Sequence, residues 1–160
     1  MNALHESLAL LLGELIDGPQ PDAAYMLNSG DRGLLRSLDE LSAGAVSAIP
    51  LSGGASIAAH VDHLRYGLSL MNRWSDGEPD PWSDADWLAS WTRKTVTSAQ
   101  WAELRAQLGV EARRWQKALT TARDVCPQEL NSVIGSIAHL AYHLGAIRQI
   151  DRSIRGPQAS

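Results

Sequence analysis

The side chains best suited to chemistry in this sequence are its histidines, and four of the five fall in two short runs. His60 and His63 lie in "SIAAHVDHLRYGLSLMNRW"; His139 and His143 lie in "SIAHLAYHLGAIRQI". Four residues is slightly more than one helical turn, so His139 and His143 leave a helix on the same face, close enough to share one metal ion. At about 100° per residue, His139, His143, Ala146 and Ile150 form one strip, and Ile137, Leu140, Leu144 and Ile147 an adjoining apolar strip. The pair therefore sits at the edge of a buried face, among small residues that leave room: Gly135, Gly145 and Ala146. In the other run, His60 flanks an apolar stripe of Ile57, Val61, Leu64, Leu68 and Met71, and His63 is turned toward Gly67 and Leu70. One of the two can reach a site at the bundle centre, and His60 is the better placed. Three neutral imidazoles around a divalent ion leave a position open for water or substrate, as catalytic sites do. The competing reading is a set of ordinary core histidines, since most i, i+4 pairs bind nothing; a third histidine on another strong helix favours the metal. His5, near the terminus, is left out of the site.

Other chemistry is absent. "HESLA" at His5 lacks the second histidine of a zinc-protease helix, and no Glu-x-x-His pair supports a carboxylate di-iron centre. There is no P-loop and no dinucleotide fingerprint. Gly54 to Ala58 departs from a nucleophile elbow and reads as a helix cap at Ser56. The single cysteine, Cys126, excludes an intramolecular disulfide and fits a reducing, cytoplasmic setting. Before Pro127, at an expected helix end, it reads as a small buried hydrophobe rather than a nucleophile. No general base is identifiable. Tyr66 and Tyr142 are candidates for polar contacts, with packing the plainer account of each.

The elements that must position the histidines are helical. Asn2–Asp17 carries leucines at helical spacing and ends at Gly18-Pro19. A short piece is expected near Asp22–Asn28, and a helix or loop-helix segment over Asp31–Ser42. Ser56 caps a strong helix to about Trp74. The acidic, proline-containing "SDGEPDPWSDAD" forms a crossover, interrupted by a short helix near Ala85–Trp91. Thr97 and Gln100 match a capping box that opens a helix to about Arg123. "CPQELN" is read as a break, and the last helix as Ser132–Ile154. Trp82, Trp87 and Trp91 cluster in the crossover, where they could roof the site, while Trp74, Trp101 and Trp115 read as core or helix-end residues; aromatic packing is the expected role of each. The fold class is all-α: a four-helix bundle with a long crossover between its second and third main helices. One domain spans 1–155, with a polar tail at 156–160.

The balance of 14 basic against 18 acidic residues argues against nucleic acid as the main partner. No apolar run is long enough to span a bilayer, and no signal peptide is expected, because the N-terminus lacks a basic region.

A histidine on the second main helix, a long crossover, and an HxxxH on the fourth followed by Gly145 and Gln149 resemble the DinB/YfiT-like superfamily over about 2–155. The resemblance implies an up-down-down-up bundle, a divalent metal held by His60, His139 and His143, and a tendency to form homodimers. Zinc suits three imidazoles, and nickel or iron also accept nitrogen. Relatives of this architecture include bacillithiol and mycothiol-dependent enzymes, which implies a small-molecule substrate and a low-molecular-weight thiol partner. Metal-dependent hydrolysis, a non-catalytic stress-response module and a DNA-associated role are the alternatives, the last opposed by the acidic balance. The fourth helix departs from the common HxxxHRGQ pattern, with Leu144 and Ala146 in place of the arginine and glutamine.

Overall fold

Local sequence explains where the helices begin. In the computed structural model, which describes residues 3–121, 123 and 125–158, the chain forms six α-helices and no named strand among those residues. They are α1 (Ala3–Asp17), α2 (Gly33–Asp39), α3 (Ala43–Ser47), α4 (Ile57–Ser75), α5 (Ser98–Leu119) and α6 (Pro127–Ile150). Ser56 caps α4 by accepting the Ala59 N–H, and Thr97 caps α5 in a reciprocal capping box with Gln100. Short 3-10 turns cover Ala89–Trp91 and Arg152–Ile154. No described helix is long and apolar enough to cross a membrane.

The start of α6 corrects the sequence reading. "CPQELN" was expected to break the chain, yet α6 begins inside it, at Pro127. Proline at the first helical position lacks only an N–H that would have no partner, and its fixed φ suits the turn. Glu129 then reaches back to accept the Cys126 N–H at 2.8 Å. Cys126 itself is exposed rather than buried. The helix expected near Asp22–Asn28 is likewise replaced by turns, which the buried Glu14 carboxylate holds by accepting the N–H groups of Tyr25, Met26 and Leu27 at 2.7–3.1 Å.

The long helices α1, α4, α5 and α6 pack so that α4 meets α5 and α6, and α1 meets the same two. Leu12, Ile57, Leu64, Leu104, Leu108 and Leu140 lie fully buried between them. Trp115 on α5 donates from Nε1 to Ser136 Oγ on α6 at 2.9 Å, and Trp101 donates to the Leu41 carbonyl at 2.8 Å, so both indoles are buried with their polar atom satisfied. Arg148 grips Asp31 with two hydrogen bonds of 2.9 and 2.7 Å, tying α6 to the approach of α2. Gly33, at φ +69°, lets that approach cross the end of α1, where a Cβ would run into the backbone of Asp17 and Gly18.

Candidate metal centre

Helices α4 and α6 bring four imidazoles together, under the turn that carries Trp87, Ser90 and Trp91. His139 and His143 pack with ring centroids 4.4 Å apart, and their Nε2 atoms lie 2.9 Å from each other. The Nε2 of His63 lies 3.1 Å from that of His139. His63, His139 and His143 can each offer one nitrogen within 4.8 Å of the other two. His60 approaches from the other side, with its Nδ1 2.8 Å from the Nδ1 of His143.

The sequence reading placed His60 with His139 and His143, and all three do meet. The converging nitrogens, however, belong to His63, His139 and His143, with His60 one ring further out. The helical wheel turns His63 away from the apolar stripe, but it ignores what packs on that flank. Trp91 stacks on the His63 ring at 4.2 Å and 22°, and Trp87 tilts against it at 5.5 Å. Of the crossover tryptophans expected to roof the site, these two touch histidines directly.

A hydrogen bond sets the tautomer of His63. Ser90 Oγ donates to the Trp87 carbonyl at 2.7 Å, so toward His63 it can only accept. His63 Nδ1, 2.8 Å away, therefore carries the proton, and its Nε2 lone pair faces His139. On His143, the tautomer protonated at Nδ1 would donate to His60 and leave the Nε2 lone pair facing His139, and the reverse tautomer would accept from His60. All four rings are held neutral. Burial lowers the pKa of His60 and His139. Burial, then the neighbouring His139 and His60, pushes His63 down to about 4. Burial, then His139, His60 and His63, pushes His143 down to about 3. The donor set thus fits a divalent transition metal: three imidazoles for which burial favours the neutral form, one nitrogen of each converging, and the outer nitrogen of His63 committed to Ser90.

Leu144, which stands where the resemblance expects arginine, is buried in the core. Arg148 is engaged by Asp31 and lies outside the site. Tyr66 donates no bond to the histidines; its hydroxyl accepts the Asp86 N–H at 2.9 Å and steadies the crossover. Tyr142 is exposed beside His143, rings 5.0 Å apart.

An all-helical bundle with a buried cluster of histidines is the class that fold and site define. A family model for the DinB superfamily matches residues 27–146, and the chain belongs to that superfamily. No curated protein and no solved structure gives a match.

Proposed function

We propose that this protein is a divalent-metal-dependent enzyme whose ion is held by His63, His139 and His143, with His60 orienting His143. The observation that carries this is the convergence of one nitrogen each from His63, His139 and His143, with Ser90 fixing the His63 Nε2 lone pair toward the others. Nitrogen lone pairs of neutral imidazoles gathered at one point are favourable ligands for a divalent cation. Bound there, a zinc, nickel or iron ion would supply Lewis acidity and would lower the pKa of a bound thiol or water. The chain itself does three things. Ser90 and His60 orient the rings, Trp91 and Trp87 shield His63 from solvent, and burial favours the neutral imidazoles, each with one nitrogen unprotonated. Transfer of a low-molecular-weight thiol to a small electrophile is the reaction that family membership and this donor set favour together.

The test is elemental analysis and zinc titration of untagged protein beside His60→Ala, His63→Ala and His143→Ala. The expected result is near-stoichiometric metal in the wild type, lost in His63→Ala and His143→Ala, and retained with weaker affinity in His60→Ala. Loss in His60→Ala with retention in His63→Ala would exchange the two roles. No uptake of zinc, nickel or iron by the wild type would overturn the metal reading.

A further inference from the structure

Beside the histidines lies a cavity of about 320 Å³ between α4 and α6. His63 and His139 line it at the metal centre. From there its lining follows α4 through Leu64, Gly67 and Leu68 to Met71, and α6 through Ser136 and Gly135 to Ser132, under Trp82 and Trp87. At about 1.5 Å per residue, each helix carries the cavity roughly 10–12 Å away from the histidines. It has room because two glycines line it. A Cβ at Gly135 would meet nothing within 4 Å, and one at Gly67 would only touch Trp87 and His139. Trp87 stays 38% exposed, a large aromatic surface left uncovered beside the cavity.

No Lys, Arg, Asp or Glu is among the described residues that line it. The nearest cations along α4 are spent: Arg65 pairs with Asp62 at 2.8 Å, and Arg73 with Glu78 at 2.5 Å. Both serine hydroxyls donate to their own helix, Ser136 to the Val133 carbonyl and Ser132 to that of Gln128. Away from its histidine end, an anion entering here would lose its hydration and find among the lining side chains neither a free cation nor a free hydroxyl donor to replace it. An aromatic or aliphatic body would meet indole, thioether and leucine surfaces.

We infer that the substrate taken up in this cavity is an uncharged, elongated, largely apolar molecule, which lies along α4 and α6 beneath Trp82 and Trp87 with its reacting end at His63 and His139. This rests on the proposed role of the histidine cluster, but the selectivity belongs to the cavity and is measured without any reaction.

The probes are N-phenyl-1-naphthylamine and its sulfonated, anionic relative 8-anilinonaphthalene-1-sulfonate, which share a skeleton and differ in charge. Fluorescence titrations are run on zinc-loaded and on metal-stripped protein. The uncharged probe is expected to bind at least about tenfold tighter than the anionic one. Gly135→Phe, which narrows the cavity at a position with open space, and Trp82→Ala, which removes part of its lining, are each expected to weaken the uncharged probe. Gly135→Arg, which supplies the missing cation, is expected to tighten the anionic probe and to leave zinc uptake unchanged. Equal binding of the two probes, absence of binding, or indifference to all three substitutions would overturn the inference. Zinc uptake measured in parallel keeps the two readings apart. Failure of uptake with the probe preference intact sinks the metal centre and upholds the cavity's selectivity, whereas intact uptake without the preference does the reverse.

Discussion

Ser90 accepts a hydrogen bond from His63 across 2.8 Å and donates its own O–H to the Trp87 carbonyl. A residue from the crossover thereby dictates which nitrogen of a helix α4 histidine is free. Outer partners of this kind commonly contribute about 10–100-fold in metal affinity. Ser90→Ala is therefore expected to weaken zinc binding by about that factor while keeping its stoichiometry, read by competition against a chromophoric chelator. Ser90→Thr keeps the hydroxyl and should restore most of the affinity. Unchanged affinity in Ser90→Ala would mean that the hydroxyl merely packs.

The pH dependence of the metal-free protein follows from the same cluster. His63 and His143 are pushed down to about 4 and about 3 in the fold, chiefly by burial, whereas the unfolded chain restores the ordinary histidine value near 6.5. The unfolded state therefore binds more protons between these limits, and stability rises with pH there. Full stability is expected above about pH 6.5, with progressive loss as the pH falls toward about 3. Urea midpoints of metal-stripped protein at a series of pH values will show this slope. The double variant His63→Gln/His143→Gln, which has no imidazole to protonate at either position, should flatten it. A slope that persists there would place the titrating groups elsewhere.

How much of this was legible in the sequence depended on whether the signal was local. Ser56 and Thr97 announce their helices because a cap acts on residues two or three positions away. The HxxxH of α6 is legible for the same reason. Pro127 misleads, because proline ends one helix and starts the next with equal ease, and only Glu129 reaching back distinguishes the two. The closeness of His63 to His139 and His143 comes with contacts to Ser90 and Trp91, nearly 30 residues downstream, and a helical wheel contains no term for them. The turns after α1 are equally non-local: they take their shape from one carboxylate.

That carboxylate, Glu14, is 4% exposed and accepts the backbone N–H groups of Tyr25, Met26 and Leu27. Glu14→Ala leaves these donors without the acceptor that organises them and opens a cavity where the side chain stood. The expected destabilisation is about 3 kcal/mol, since hydrogen bonds to a charged group contribute more than neutral ones and their loss exposes unsatisfied donors. Denaturant unfolding measures it. Amide exchange should show Tyr25, Met26 and Leu27 losing protection before α1 does, and a uniform loss across the bundle would argue against a local role.

Thr97 offers a smaller and cleaner test of how α5 is set. Its hydroxyl accepts the Gln100 N–H at 3.3 Å, while the Gln100 side chain accepts the Thr97 N–H at 2.9 Å. Both positions are exposed, so replacing Thr97 changes little besides the cap. Thr97→Ala is expected to cost about 1 kcal/mol, and Thr97→Ser or Thr97→Asp nearly nothing. The cap lies after the crossover that carries Ser90 and far along the chain from the histidines, so zinc affinity should stay at the wild-type value in all three variants. A parallel loss of affinity would show that the start of α5 helps to hold the crossover over His63, and would couple the stability of this helix to the metal centre.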